Sequence, residues 1–207
     1  MVTTMESNLT EKEMALIRES IKVKYSQVAA TGTATCFRYP TGAAGLKQQN
    51  YPLDLLRDFP PALIDSFCGV GNPFSLGPIH SGEAVLDIGC GAGLDTLLAA
   101  RMVGPAGRVA GVDVTQAMID KAWGNLALLG LQNVVFQLAE AESLLFPDNG
   151  FDAVISNGVF NLTLDKEKAL KEAHRVLKPG GRLLLADMVL VAALPPYKGG
   201  KIENWYQ

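Results

Sequence analysis

Three glycines at two-residue spacing, Gly89, Gly91 and Gly93, stand in the stretch VLDIGCGAGLDT over residues 85–96, between an apolar run and a helical pattern. Such a turn lets the backbone approach a ligand closely and take φ angles that other residues resist. Turns of this kind usually cradle phosphate, yet this one carries no lysine or arginine. A Walker-type loop needs Gly-x-x-x-x-Gly-Lys-Ser/Thr; here the residues from 94 onward read LDT. The dinucleotide fingerprint needs Gly-x-Gly-x-x-Gly, but the third glycine comes one residue early, at 93, and Leu94 occupies its place. The spacing therefore predicts poor binding of ATP and NAD. Asp113 closes the run VAGVD 20 residues after Gly93, where a carboxylate can accept hydrogen bonds from both hydroxyls of a ribose. The ligand this describes has a nucleoside at one end and no phosphates. The glycine turn and Asp87 would then meet an amino-acid moiety and a sulfonium charge, and a chain of net charge −3 suits such a cation.

These residues need a frame, and the pattern after Ser81 supplies one. Apolar strand-like runs at 84–89, 108–114, 133–138, 151–157 and 182–190 alternate with helical stretches near 94–103, 116–129 and 165–177. Thr115 is placed to cap the second of those helices and Gly130 to end it, while PAG at 105–107, PDNG at 147–150 and KPGG at 178–181 supply turns. Order of this kind predicts an α/β fold, a Rossmann-like, doubly wound, mostly parallel sheet whose ligands sit at the carboxyl ends of the strands. Before it, Thr10 and Glu13 form a capping box, and Met14, Ile17, Ile21, Tyr25 and Val28 recur at helical spacing, which predicts an amphipathic helix over 10–29. Loops at 31–45 and 68–78 and short helical pieces split by Pro60 and Pro61 complete this part. The expected organisation is a helical, lid-like region over 1–80, a ligand-binding α/β domain over 81–194 and a short tail over 195–207.

Composition removes several classes of function. A chain of 207 residues, 48% hydrophobic and 19% charged, is long enough for one full core. The pI near 5.4 and scattered basic residues argue against a nucleic-acid partner. The first residues, MVTTMESN, are polar, and no apolar run approaches the roughly 18 residues that span a bilayer; we expect a cytoplasmic protein. Cys36, Cys68 and Cys90 have no paired Cys-x-x-Cys spacing, and His80 and His174 stand far apart, so reduced thiols and no metal site are expected.

Taken together, DIGCGAG, GVDVT followed by Met118, LAEAESLLFPDNGFDAVISN and RVLKPGGRLLLAD resemble the successive motifs of class I S-adenosylmethionine-dependent methyltransferases over about 84–190. The segments GLDTLLAARMVGPAGRVAGVDVT and SNGVFNLTLDKEKALKEAHRVLKPGG are most similar to the arsenite methyltransferase branch, and VKYSQVA and GVGNP fit that branch too. The resemblance implies S-adenosyl-L-methionine as cofactor, with methionine-side contacts on Asp87, Gly89, Cys90, Gly91 and Gly93, and ribose contacts on Asp113. It puts adenine against Val114 and Met118 and beside Glu140 and Ala141, Asn157 near the sulfonium, and Asn161 and Tyr25 toward the acceptor. Plainer roles compete: Met118 and Tyr25 as core residues of their helices, Glu140 as a solvated loop charge, Cys90 as a small packed side chain. Where the arsenite branch carries cysteines this chain has Val70 and Gly158, with Cys68 two residues away. The expected function is methyl transfer to an unidentified small molecule. The alternatives are an arsenite methyltransferase with atypical cysteines and a non-catalytic cofactor-binding scaffold. Class I sheets usually end in antiparallel strands, and VAALPPYKGGKIENWYQ after Leu190 does not read as such. We therefore expect five strands, with Trp205 and Tyr206 or a second copy, as a homodimer, covering the last one.

Overall fold

The computed structural model describes residues 9–33 and 36–189. Strands β1 (Ala84–Ile88), β2 (Arg108–Asp113), β3 (Val134–Leu138), β4 (Phe151–Asn157) and β5 (Leu177–Ala186) form one sheet in the order β3-β2-β1-β4-β5. All four pairings are parallel. The central strand, AVLDI, is buried at every position, as a strand covered on both faces must be. Its alternate side chains divide between two layers. Val85 packs with Ala99, Ala100 and Val103 of α4 (Leu94–Val103), while Leu86 and Ile88 pack with Ala169, Ala173 and Val176 of α6 (Lys166–Val176). Helix α5 (Gln116–Leu129) joins α4, its Ile119 and Ala122 meeting Leu97, Leu98 and Phe136.

Register sets the site. Ile88 pairs with Val112 on one side and Ser156 on the other, so Asp113 and Asn157 each lie one residue beyond the end of β1, at the carboxyl edge.

Two details differ from the sequence reading. KPGG at 178–181 is not a turn ahead of the last strand. Leu177 already pairs with Phe151, the ladder resumes at Arg182 with Ala153, and the four residues between form an irregularity inside β5. That strand stops at Ala186 rather than 190. The Asp187 carboxylate accepts the Met188 N–H at 2.7 Å and the Asn161 N–H at 3.0 Å, which takes the next backbone donor out of the ladder. Thr115 occupies the N-cap of α5 but makes no side-chain cap bond; its N–H donates instead to Asp113 Oδ1 at 2.9 Å.

Helix α1 (Glu11–Thr31) begins at the expected capping box, with the Glu13 N–H donating to Thr10 Oγ1 at 3.3 Å and the Thr10 N–H to Glu13 Oε2 at 2.8 Å. Ile17, Ile21 and Val28 of its stripe are buried. Val28 packs against Met118 and Ala92, and Lys121 of α5 donates to the Ala29 carbonyl at 3.2 Å, so α1 lies along α5 near the glycine turn. Helices α2 (Gly42–Gln48) and α3 (Pro61–Asp65) share one apolar cluster with α4 and α5 through Leu46, Tyr51, Leu63 and Phe67. No described helix is long and apolar enough to cross a membrane. His80 and His174 are exposed, and the tail residues Trp205 and Tyr206, with the dimer contact expected of them, lie outside the described residues.

Candidate active site

The glycine turn leaves β1 in a conformation that side chains resist. Gly89 has φ +77°, and a Cβ there would collide with Val159. The N–H groups of Gly89 and Cys90 both donate to the Val112 carbonyl at 2.8 Å, which holds the turn against the end of β2. Gly91, at φ +51°, has nothing within 4 Å of where a Cβ would lie, and its N–H donates to Asp113 Oδ2 at 3.0 Å. A backbone exposed in this way is open to a ligand.

Asp113 thus has one bond on each oxygen, from Thr115 and from Gly91, and each oxygen keeps acceptor capacity. Burial pushes its carboxyl up, and those N–H groups pull it partly back. Asp87, 2% exposed, accepts from Thr96 Oγ1 at 2.6 Å. Burial pushes its carboxyl far up, and the charge of Asp95 pushes it further. Asp95 opens α4, 8% exposed, and burial pushes it up to about 6 against hydrogen bonds from Asn157 and Tyr51. Among the described residues none of the three is in an ion pair. Of the three, Asp113 at the carboxyl edge is the one held by backbone donors alone, and it keeps acceptor capacity for a ligand.

A cleft opens above this edge. Of the residues singled out from sequence, Tyr25, Gly89, Gly91, Asp113, Val114, Met118, Glu140, Ala141 and Asn157 line it. Asp87, Cys90 and Gly93 are not on its lining; Cys90 is 7% exposed, and a Cβ on Gly93 would press on Phe136 and Ala122. Asn161 is also off the lining, its N–H held by Asp187. Met118 is 2% exposed and packs with Val28 and Ala92, so it is a core residue as well as a lining one. Tyr25 is part of the α1 stripe and of the cleft wall, and burial pushes its hydroxyl well up.

Sequence reasoning missed Arg18, Ile21, Cys68, Leu162 and Thr163 on the lining. A signal for the first two existed: Arg18, Ile21 and Tyr25 fall at i, i+3 and i+7, on one side of α1. Arg18 lies 3.9 Å from Glu140 across the cleft, both side chains being partly exposed. The Asn157 side chain is fully hydrogen-bonded within the protein. Its Oδ1 accepts from Val70 and Gly71 N–H at 2.8 and 3.1 Å, and its Nδ2 lies within donating distance of Gly71 O, Tyr51 Oη and Asp95 Oδ2. Tyr51 and Asp95 were not singled out, because their 44-residue separation carries no local pattern.

Val70 and Gly158 are neighbours: a Cβ on Gly158 would lie 3.3 Å from Val70 Cγ2. Of the three cysteines only Cys68 lines the cleft. Burial, then the charges of Asp113 and Asp95, push its thiol up to about 12. Among the described residues no cluster of three or more His, Cys, Asp or Glu could hold a metal ion.

Comparison with known proteins identifies the family. Residues 79–207 match a family model described as a methyltransferase domain. Over 203 residues the chain is 35% identical to an arsenite methyltransferase of Halobacterium salinarum, covering 92% of this chain and 52% of that one. Over 111 residues it is 46% identical to a ubiquinone/menaquinone biosynthesis C-methyltransferase of an Enterobacter species, covering 53% of this chain and 44% of that one. A crystal structure of an arsenic (III) S-adenosylmethionine methyltransferase from Chlamydomonas reinhardtii superposes with a TM-score of 0.61 at 39% identity, over 65% of this chain and 48% of that one. The chain spans about half the length of the curated relatives it matches.

Proposed function

This chain belongs to the methyltransferase domain family, whose cofactor is S-adenosyl-L-methionine, and we propose that its cleft binds that cofactor and directs its methyl group to a small-molecule acceptor. The observation that carries the reading is Asp113: beside the open Gly91 backbone at the carboxyl edge it lines the cleft and keeps an acceptor place on each oxygen, as suits the two hydroxyls of a ribose. The cofactor, when bound, supplies an electrophilic methyl group. Asp113 accepts the ribose hydroxyls, Val114, Met118 and Ala141 enclose the adenine, and the exposed backbone of the glycine turn at Gly89 and Gly91 faces the methionine end. Methyl transfer from a sulfonium is an in-line displacement, so alignment and exclusion of water can suffice without an acid or base. Cys68 and Tyr25, kept neutral by burial, act as packing groups of the cleft wall. The free thiols Cys36, Cys68 and Cys90 support a cytoplasmic location, the net charge of −3 and scattered basic residues support no nucleic-acid partner, and the homodimer expected at β5 belongs to the same reading.

Calorimetry with S-adenosyl-L-methionine, followed by an acceptor screen with methyl-labelled cofactor, tests the proposal. Binding with transfer supports it, binding without transfer to any acceptor favours a scaffold, and no binding overturns it. A second reading, arsenite as acceptor, is supported by the relatives. Against it, Val70 and Gly158 stand where a soft metalloid would need thiolates. We expect little arsenite methylation; cofactor-dependent formation of methylated arsenic at ordinary enzymatic rates would reverse that ranking.

A further inference from the structure

Loop 68–72 carries one wall of the cleft through Cys68, yet it belongs to neither the sheet nor a helix. It is laid on the carboxyl edge very closely. A Cβ on Gly69 would strike the Asn157 carboxamide, and one on Gly71 would lie 2.8 Å from Ala186 Cβ, so both positions require glycine. What holds it is one side chain from each of three separate parts of the chain. Asn157, at the end of β4, accepts from the Val70 and Gly71 N–H groups and donates toward the Gly71 carbonyl at 2.9 Å. Tyr51, between α2 and α3, donates to Asp95 at 2.8 Å, and its oxygen lies 3.0 Å from Asn157 Nδ2. Asp95, on the first turn of α4, receives both donors without a lysine or arginine. The Tyr51 ring is wedged edge-on between Phe67 and Phe74, at 5.0 and 6.0 Å between centroids, on either side of the loop.

We propose that Tyr51, Asp95 and Asn157 act as one positioning unit, which fixes loop 68–72 on the sheet edge and thereby sets where Cys68 closes the cleft. The inference rests on the cleft being the transfer site proposed above. Asp95 orients the Tyr51 hydroxyl and the Asn157 amide; Asn157, so oriented, presents its oxygen to the two loop N–H groups. None of the three needs to touch the acceptor. Fixing a wall in this way is how remote groups align an in-line reaction.

The test is the alkylation rate of each cysteine by iodoacetamide in the full chain, followed by mass spectrometry with and without the Tyr51 hydroxyl. Tyr51→Phe keeps the ring between Phe67 and Phe74 and removes only the oxygen. Cys68 alkylation should rise at least fivefold, while Cys90, packed in the glycine turn, keeps its rate. Unchanged Cys68, or Cys68 and Cys90 rising together, would overturn the proposal, since the latter is general loosening. Should Tyr51→Phe fail to fold, Asp95→Asn, nearly isosteric, should give the same selective rise in Cys68, and its absence there counts equally against the unit. Failure of the unaltered chain to bind S-adenosyl-L-methionine in calorimetry would instead sink the proposed function and leave the alkylation result standing.

Discussion

Replacing Asp113 by alanine should weaken S-adenosyl-L-methionine binding by about 1.5–3 kcal/mol, the range for a hydrogen bond to a charged acceptor. The structure bounds the figure. Each carboxylate oxygen already holds one backbone donor, Thr115 N–H at 2.9 Å on Oδ1 and Gly91 N–H at 3.0 Å on Oδ2, so each offers one remaining place to a ribose hydroxyl. Alanine also leaves the Gly91 N–H without its acceptor, which loosens the turn and acts in the same direction. At about 1.4 kcal/mol per decade the loss corresponds to roughly a 10- to 150-fold rise in Kd. Asp113→Asn, which keeps the shape and one acceptor oxygen but no charge, should fall between. Titration calorimetry at neutral pH reads the effect, with thermal unfolding alongside to confirm that the variant folds. Affinity within twofold of the unaltered protein would refute the placement of the ribose.

Stability should fall as pH rises from about 4 to 6.5. Burial holds Asp87, Asp95 and Asp113 above the ordinary carboxylate value, so the folded chain keeps protons that the unfolded chain has released. Their stabilising contribution is complete below the unfolded pKa and lost through the folded one, which for Asp95 is about 6. Asp95 alone corresponds to on the order of 2–3 kcal/mol, and thermal unfolding at pH 5 and 7.5 should show the slope flattened in Asp95→Asn; an unaltered slope would mean the site is not strained by its charge. ATP and NAD should bind at least a hundredfold more weakly than S-adenosyl-L-methionine, and micromolar competition by either would contradict the reading of the turn. Gly89→Ala should destabilise the chain more than Gly91→Ala, because both have positive φ but only the first adds a collision, with Val159. Gly91→Ala should cost about 1–2 kcal/mol, and equal unfolding midpoints for the two variants would mean that the turn relaxes around the added carbon.

The sheet was legible because its strands read as unbroken apolar runs and its helices carry their own ends: Gly130, as expected, closes α5 in a left-handed conformation, and Thr10 opens α1. The same holds for residues whose position follows from the chain alone, Gly91 and Asp113 at the ends of neighbouring strands. KPGG looked like a turn because proline and glycine disfavour strands, yet pairing with β4 absorbs it as an irregularity. The sequence pattern could place Asn157 at the carboxyl edge but not say where its carboxamide points, which depends on loop 68–72, some 86 residues away. Tyr51 and Asp95 were hidden for the same reason: their meaning lies in tertiary hydrogen bonds between distant segments. Asp87 and Cys90 lie beneath the lining because alternation along β1 and its exit turn directs them toward α4, a fact visible only once the register is known.

The proposed function places the cofactor at the carboxyl edge of the sheet. A crystal structure of the chain with S-adenosylhomocysteine, the demethylated product, tests it most directly. Both ribose hydroxyls should lie within hydrogen-bond distance of the Asp113 carboxylate, the adenine between Met118 and Ala141, and the amino-acid end over Gly89 and Gly91. A nucleoside bound elsewhere on the chain, or seated in the cleft with its ribose turned away from Asp113, would contradict it.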